Sequence, residues 1–245
     1  MLHVGLSYTI PSIEIITLKN KDFISLRASS FDALLNSFQV YIWKHTFTKS
    51  ELLELAHIHA PQLPLDSYIQ LKSKRLIERL SVDLLLHQLL GHTKPLAHEK
   101  NGRPYLPESN LELSVSHSGN TYALSLSAYH HGFDIELWDT KALRVASKFL
   151  SSKEQTLLTH SLSNSPAKAA TLLWSAKEAA YKYFNINGLQ LLKDMDLSFL
   201  ATNKLQVLLP FHNMYAQVIY IESSQYALTL CYSMPNNKKY VTLHH

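Results

Sequence analysis

Two short stretches hold the side chains best suited to chemistry. In "GFDIELW", residues 132–138, Asp134 and Glu136 stand one residue apart, and in "WSAKEAAYK", residues 174–182, Lys177, Glu178 and Lys182 crowd an otherwise apolar run. Side chains alternate across a strand, so Phe133, Ile135 and Leu137 face a core while Asp134 and Glu136 share the other face, ~6.6–7 Å apart at Cα. Two carboxylates that close repel unless a cation lies between them. A Mg²⁺ ion meets that condition, because it takes one or two carboxylates and completes its octahedron with waters and substrate phosphates. The same spacing also suits the wet face of an edge strand, where both charges are simply solvated.

The second stretch reads as helix. With ~100° of rotation per residue, Ala169, Leu173, Ala176, Ala180 and Phe184 form a buried stripe with Lys177 at its margin. Trp174, Glu178 and Lys182 follow at i, i+4 and i+8 on another face. On an exposed helix a Glu-to-Lys pair at that spacing is worth ~0.3–0.5 kcal/mol, whereas the neighbouring tryptophan argues for a face that is partly covered. A third stretch, "SVSHSGN", ends a strand just before a glycine turn. There Ser116, His117 and Ser118, with free backbone N–H groups, can converge on a phosphate. Ser116 and His117 are no nucleophile–base couple, since adjacent strand side chains point to opposite faces. Upstream, "NGRPYLP" offers a turn at Asn101-Gly102, a stiff exit at Pro104, and Arg103 held out as an anion contact.

Elements must position these groups, and periodicity names most of them. "SYTIPSIEIITL" reads as a strand with an early proline break. Residues Asp66 to Leu90 carry Leu76, Leu80, Leu84 and Leu85 at helical spacing and close on Gly91 as a C-cap. "LELSVSHSGNTYALSLSAY" alternates on both sides of Gly119-Asn120, a hairpin pattern, and "HGFDIELW" alternates again. A helix is expected around Thr140 to Leu150, a long helix from Pro166 to Phe184, and late strands at "KLQVLLP" and "QYALTLCYS". The order of helix then strands on both sides of Ala128 suggests two similar α+β subdomains, residues 1–128 and 129–245.

Composition sets the frame for that reading. The 245 residues suffice for one large domain or two small ones, and 46% hydrophobic with 17% charged residues is ordinary for a globular protein. Cys231 is the single cysteine, which excludes a disulfide framework and points to an intracellular, cytoplasmic protein. The start, "MLHVGLSYTI", lacks the basic and apolar regions of a secretory signal, and nowhere do ~18 apolar residues run unbroken, so no membrane partner is expected. A net charge of +4 without a dense basic block gives no reason to expect nucleic acid. The 14 histidines are scattered without HExxH or Cys/His ligand spacing, so no zinc site is expected.

Each motif alone has a plain structural alternative, but their order is specific. "NGRPYL", "SHS", "GFDIE" and "WSAKEAAYK", met in that sequence from about Lys72 onward, resemble the 4'-phosphopantetheinyl transferase superfamily in its longer, monomeric Sfp-like form. The resemblance implies two α+β subdomains, antiparallel sheets packed with helices, related by a pseudo-twofold with the active site between them. It implies transfer of the phosphopantetheine arm of coenzyme A to a serine of an acyl or peptidyl carrier protein, as in a holo-acyl-carrier-protein synthase. Adenosine 3',5'-bisphosphate is the other product. By match to GxDIE and WSxKEA, Asp134, Glu136 and Glu178 would bind Mg²⁺, with Glu178 or a water it holds as base. Lys182 would meet the pyrophosphate or the leaving group. Ser116 and His117 match the phosphate-contacting SHS, and Arg103 matches the basic residue of the NGKP segment.

One departure concerns "KSKRLIERLSVDLLL": the family usually carries further basic residues there, with arginine where Asp83 stands. Lys74 and Arg75 remain as contacts for the nucleotide 3'-phosphate, which Asp83 would repel if it faced the site. A carrier-docking surface is expected on the helix after "GFDIE", where Lys141, Arg144 and Lys148 at i, i+3 and i+7 share one face while Ala142, Val145, Ala146 and Phe149 pack inward. The same carboxylates could instead serve a metal-dependent nucleotide pyrophosphate hydrolase, or a non-catalytic relative that only binds carriers.

Overall fold

Among the described residues, alternating stretches of this chain pair into two large antiparallel sheets and one short two-stranded ribbon, and each large sheet is covered on one face by helices. The computed structural model describes residues 14–17, 38–91, 94–107, 109–159 and 165–233. In chain order these are strands β1 (Glu14–Thr17) and β2 (Gln39–Lys44), helices α1 (Lys49–His59), α2 (Leu65–Ile69) and α3 (Ser73–Leu90), and strands β3 (Ala97–His98), β4 (Pro104–Tyr105), β5 (Glu112–Ser118), β6 (Thr121–Ser127) and β7 (Gly132–Leu137). After them come short helices α4 (Lys141–Arg144) and α5 (Ser152–Gln155), the long helix α6 (Pro166–Phe184), and strands β8 (Asp196–Ala201), β9 (Lys204–Leu209), β10 (Met214–Glu222) and β11 (Tyr226–Tyr232). No helix among the described residues is long and apolar enough to cross a membrane.

The first sheet has the order β1-β2-β6-β5 and the second β7-β11-β10-β9-β8. In each sheet a strand is followed by helices ending in a long one and then by four strands, the last of which pairs with the first, β2 with β6 and β7 with β11. Alternation then divides each sheet between two cores. Trp43, Leu124 and Leu126 face α1 and α3, while Val40, Ile42 and Ala123 of the same strands meet Phe133, Ile135, Leu228 and Leu230 of the second sheet. The far face of the second sheet packs Val207, Ala216, Val218 and Cys231 against α6. The result is a stack of helix, sheet, sheet, helix. Strands β6 and β11, covered on both faces, are buried along their whole length.

Local signals mark several boundaries. Gly91 ends α3 in the left-handed region at φ 64, and Asn185 ends α6 in the same way at φ 52 after Pro166 opened it. Gly119, at φ 58, takes the first position of the two-residue β5–β6 loop that a primed hairpin turn requires. Two expectations need correction. The Asp66–Leu90 run is two helices, α2 and α3, broken around Gln70–Lys72. The helix expected at Thr140–Leu150 stops at Arg144, and a 3-10 turn over Ala146–Lys148 follows Val145 at φ −112. The opening Thr140 makes no side-chain cap bond, and Ala146, Phe149 and Leu150 are pulled into the core against α6.

Two buried imidazoles tie these layers together as neutral groups. His45, among Trp43, Phe47 and Tyr122, accepts the Phe47 N–H at Nδ1 (3.2 Å) and sits 2.8 Å from Ser81 Oγ, which itself donates to the Ile77 carbonyl. His131 lies 2.9 Å from the Tyr129 carbonyl at Nδ1 and 2.5 Å from Ser125 Oγ at Nε2. Burial lowers each to about 4. The unfolded chain therefore binds these protons first, so the stability they lend is complete above about 6.5 and is lost as pH falls toward 4. The thermal midpoint should drop across that window, and His131→Gln should remove roughly one of the protons taken up on unfolding. An unchanged pH slope in that variant would show that His131 is protonated in the fold.

Candidate active site between two edge strands

Strands β5 and β7 are the edges of the two sheets, and they run beside each other without a shared backbone ladder. Serines at every second position of β5 fill the seam. Ser114 Oγ accepts the Phe133 N–H (2.9 Å), Ser116 Oγ donates to Asp134 Oδ1 (2.6 Å), and Ser118 Oγ accepts the Leu137 N–H (3.1 Å) while donating to Glu136 Oε2 (2.6 Å). Period-2 geometry makes this possible: three hydroxyls on one face of β5 meet two carboxylates on one face of β7. The expected convergence of Ser116, His117 and Ser118 on a single anion does not occur. The two serines hold the carboxylates, and His117 points the other way, to Glu78 on α3 at 3.5 Å.

Helix α6 closes the site from above. Gly132, at the start of β7, sits directly beneath its backbone at Ala179 and Tyr183. That approach lays the face formed by Trp174, Glu178 and Lys182 over Asp134 and Glu136. Lys182 Nζ donates to Asp134 Oδ1 (2.7 Å) and to the Phe133 carbonyl (3.0 Å), and Trp174 Nε1 donates to Glu136 Oε1 (3.0 Å). Burial, and then the charge of Asp134, push Glu136 up to about 7 against the pull of Ser118, Trp174 and Lys182. Glu178 is raised for the same two reasons and is opposed by Lys182. Asp134 is buried and Glu136 and Glu178 are half-buried beside it, a crowding that favours a neutralising partner.

A divalent ion would supply that partner, and one observation fits it: Asp134 Oδ2 is buried with no hydrogen-bond partner. An orphaned, buried carboxylate oxygen is suited to a hard, oxygen-seeking cation. The three carboxylates do not yet meet at one point, for no trio of His, Cys, Asp or Glu among the described residues gathers closely enough to hold a metal. Lys182 neutralises Asp134 instead.

Of the charges in "WSAKEAAYK", Lys177 has a different job. It is fully buried, pairs with Glu154 at 2.8 Å, and donates to the carbonyls of Leu191 (2.7 Å) and Met195 (2.9 Å). Glu154 in turn accepts the Leu197 N–H (2.8 Å) and closes a capping box with Ser151. This buried pair fixes α6 to α5 and to the entry of β8. The "SSKE" of residues 151–154 was a readable capping signal for Glu154, but its pairing with Lys177 lies 23 residues away along the chain.

Other expected contacts are placed differently. Arg103 is not held out: it is paired with Glu112 at the start of β5 and donates through Nη1 to His130, although it still lines a cavity of about 210 Å³ with Lys182 and Tyr181. Asp83 is buried, accepting the Tyr68 hydroxyl and the Leu96 N–H, each at 2.7 Å, so it is a structural acid. Lys74 and Arg75, both exposed, stand over Glu78 at 3.9 and 3.5 Å. With the helix interrupted at Val145, Lys141, Arg144 and Lys148 are exposed but do not form one helical stripe, and Val145 faces outward rather than inward. A groove of about 450 Å³ runs from Glu136 and Trp174 to Lys141, Ala142 and Val145.

Residues 131–231 match the profile of the 4'-phosphopantetheinyl transferase superfamily, so this segment, which contains β7, α6 and the second sheet, carries that superfamily's domain. No curated protein matches the chain.

Lys177 and Lys182 of α6 should separate experimentally. Lys177→Met strands a buried Glu154 and should cost roughly 3–5 kcal/mol of stability. Lys182→Met should cost less than half as much, because Lys182 is partly exposed and Asp134 keeps Ser116. Denaturant melts of the two variants decide this, and equal losses would refute the division of roles.

Proposed function

We propose that this protein transfers the 4'-phosphopantetheine group of coenzyme A to a serine hydroxyl of an apo acyl or peptidyl carrier protein. The observation that carries the reading is the seating of Trp174, Glu178 and Lys182 over Asp134 and Glu136, inside the segment that matches the superfamily. Asp134, Glu136 and Glu178 would hold Mg²⁺, which when bound neutralises charge on the pyrophosphate.

The chain's own groups account for the rest of the reaction. The carrier serine Oγ attacks the phosphorus that bears the pantetheine arm, its bond to the bridging oxygen breaks, and adenosine 3',5'-bisphosphate leaves. Glu178, whose proton affinity is raised by burial and by Asp134, accepts the serine proton directly or through a water. Lys182, 2.7 Å from Asp134, is the cation nearest the acidic cluster and offsets charge on the departing phosphate. Ser116, Ser118 and Trp174 keep the two β7 carboxylates in fixed rotamers, so little reorganisation is needed at the moment of transfer. His117, Lys74 and Arg75 would meet the nucleotide end of coenzyme A, with Arg103 nearer Lys182. The groove beside Lys141, with Arg144 and the exposed Leu143 and Val145, offers a basic and apolar approach for an acidic carrier.

Mass spectrometry of an apo carrier protein incubated with the enzyme, coenzyme A and Mg²⁺ tests the proposal. The carrier should gain one phosphopantetheine, and Asp134→Asn or Glu178→Gln should lower the rate by roughly 100-fold or more with folding intact. Cleaved coenzyme A with an unchanged carrier would make the protein a pyrophosphate hydrolase instead. An inert mixture would leave a carrier-binding relative.

A further inference from the structure

The acid onto which the basic residues of α3 turn is Glu78; Asp83 lines the same cleft but is held by the Tyr68 hydroxyl and the Leu96 N–H. Its side chain is only 15% exposed, yet Lys74 (3.9 Å), Arg75 (3.5 Å) and His117 (3.5 Å) all turn onto it. The lysine and arginine are 89% and 58% exposed, so two solvated cations lean inward over one shielded carboxylate. Arg79 and His98 line the same cleft, on the side of β5 away from the serine seam. His117 links this cleft to the acidic cluster, for it feels Lys182 and Asp134 as well as Glu78 and Lys74.

We infer that Glu78 is a specificity-determining residue for the nucleotide end of the donor: its own charge occupies the basic cluster and removes most of the preference for a 3'-phosphorylated ribose over an unphosphorylated one. The inference rests on the transferase reading in placing a nucleotide in this cleft. A phosphate entering there meets cations that already share Glu78, a carboxylate of its own sign, and it must pull Lys74, Arg75 and His117 away from Glu78 to gain their contacts. A ribose hydroxyl meets no such opposition and can donate to Glu78. Dinucleotide sites use the same chemistry, an acidic residue accepting a ribose hydroxyl where an arginine accommodates a phosphate. Glu78 therefore makes coenzyme A and dephospho-coenzyme A comparable donors despite the surrounding basic residues.

Two measurements on the full chain test this, one of them independent of transfer. Calorimetry in Mg²⁺ gives the affinities of adenosine 3',5'-bisphosphate and adenosine 5'-monophosphate for wild type, Glu78→Gln and Glu78→Asp. The wild-type ratio should lie within about threefold of unity, Glu78→Gln should shift it roughly tenfold toward the bisphosphate, and Glu78→Asp, which keeps the charge, should stay near wild type. The Glu78→Gln shift should shrink as salt rises. The ratio of kcat/KM for coenzyme A over dephospho-coenzyme A should move in parallel. A wild-type preference of about 100-fold or more for the 3'-phosphate, unchanged in Glu78→Gln, overturns the role of Glu78. Transfer from neither donor, with the nucleotide ratio still shifted by Glu78→Gln, would sink the transferase reading and leave the cleft assignment standing.

Discussion

Helix α6 can lie against strand β7 only because residue 132 has no side chain. A Cβ on Gly132 would fall 2.0 Å from the Ala179 carbonyl oxygen and 2.5 Å from the Tyr183 nitrogen, backbone atoms that no rotamer change can move aside. The backbone there has no positive φ, so the glycine is needed for approach and not for conformation. Ala176, Ala179 and Ala180 extend the thin contact along the helix, all fully buried. At this separation Lys182 reaches Asp134 and Trp174 reaches Glu136. A helix held farther off would leave both carboxylates of β7 facing water, and their spacing would mean nothing.

The polar groups around this contact divide into those that hold the scaffold and those left for chemistry. Lys177 and Glu154 are consumed by the scaffold: between them they satisfy two carbonyls, two backbone N–H groups and each other's charge. Such a pair adds little net stability over an apolar substitute, but leaving either partner alone in the core is costly, so it pins α6 in one register. The serines of β5 work at the opposite edge. They replace the missing ladder between β5 and β7 with side-chain bonds, and Ser116 and Ser118 spend their hydrogens on the carboxylates. After these bonds are made, Asp134 Oδ2, Glu178 and the partly exposed Lys182 are the groups left for chemistry.

How much of this was legible follows from the range of each interaction. The division of "GFDIELW" into Phe133, Ile135 and Leu137 on one face and Asp134 and Glu136 on the other is a matter of period 2, and the common face of Trp174, Glu178 and Lys182 a matter of period 3.6. Both hold because strand and helix are regular to their ends. The basic stripe of Lys141, Arg144 and Lys148 rested on a helix that core packing of Ala146, Phe149 and Leu150 interrupts, a tertiary effect that local spacing does not carry. Arg103, expected to be held out, is paired, and the orientation of Asp83, left open by the sequence, is settled by burial, for a related reason. Their partners Glu112, His130, Tyr68 and Leu96 come from neighbouring elements, and a charge is free for a ligand only if nothing nearer claims it. Strands β2 and β10 drew no prediction, although Val40 and Ile42 face the core between the sheets while Tyr41 and Trp43 face the helices, and Val218 and Tyr220 face α6 while Ile219 and Ile221 face the core between the sheets. Covered on both faces, such strands read as plain apolar runs.

The close approach of α6 to β7 is the claim on which the site stands, and Gly132→Ala tests it most directly. One methyl group is added at a position that touches no substrate, beneath the helix that carries Glu178 and Lys182. The measurement is transfer of phosphopantetheine to an apo carrier by the variant at a temperature where its circular dichroism shows it folded. A fall in kcat of roughly 100-fold, with stability reduced by about 1–3 kcal/mol, is the predicted result. A folded variant with wild-type kcat would contradict the account, since the carboxylates and the helix face would then work without the contact that aligns them.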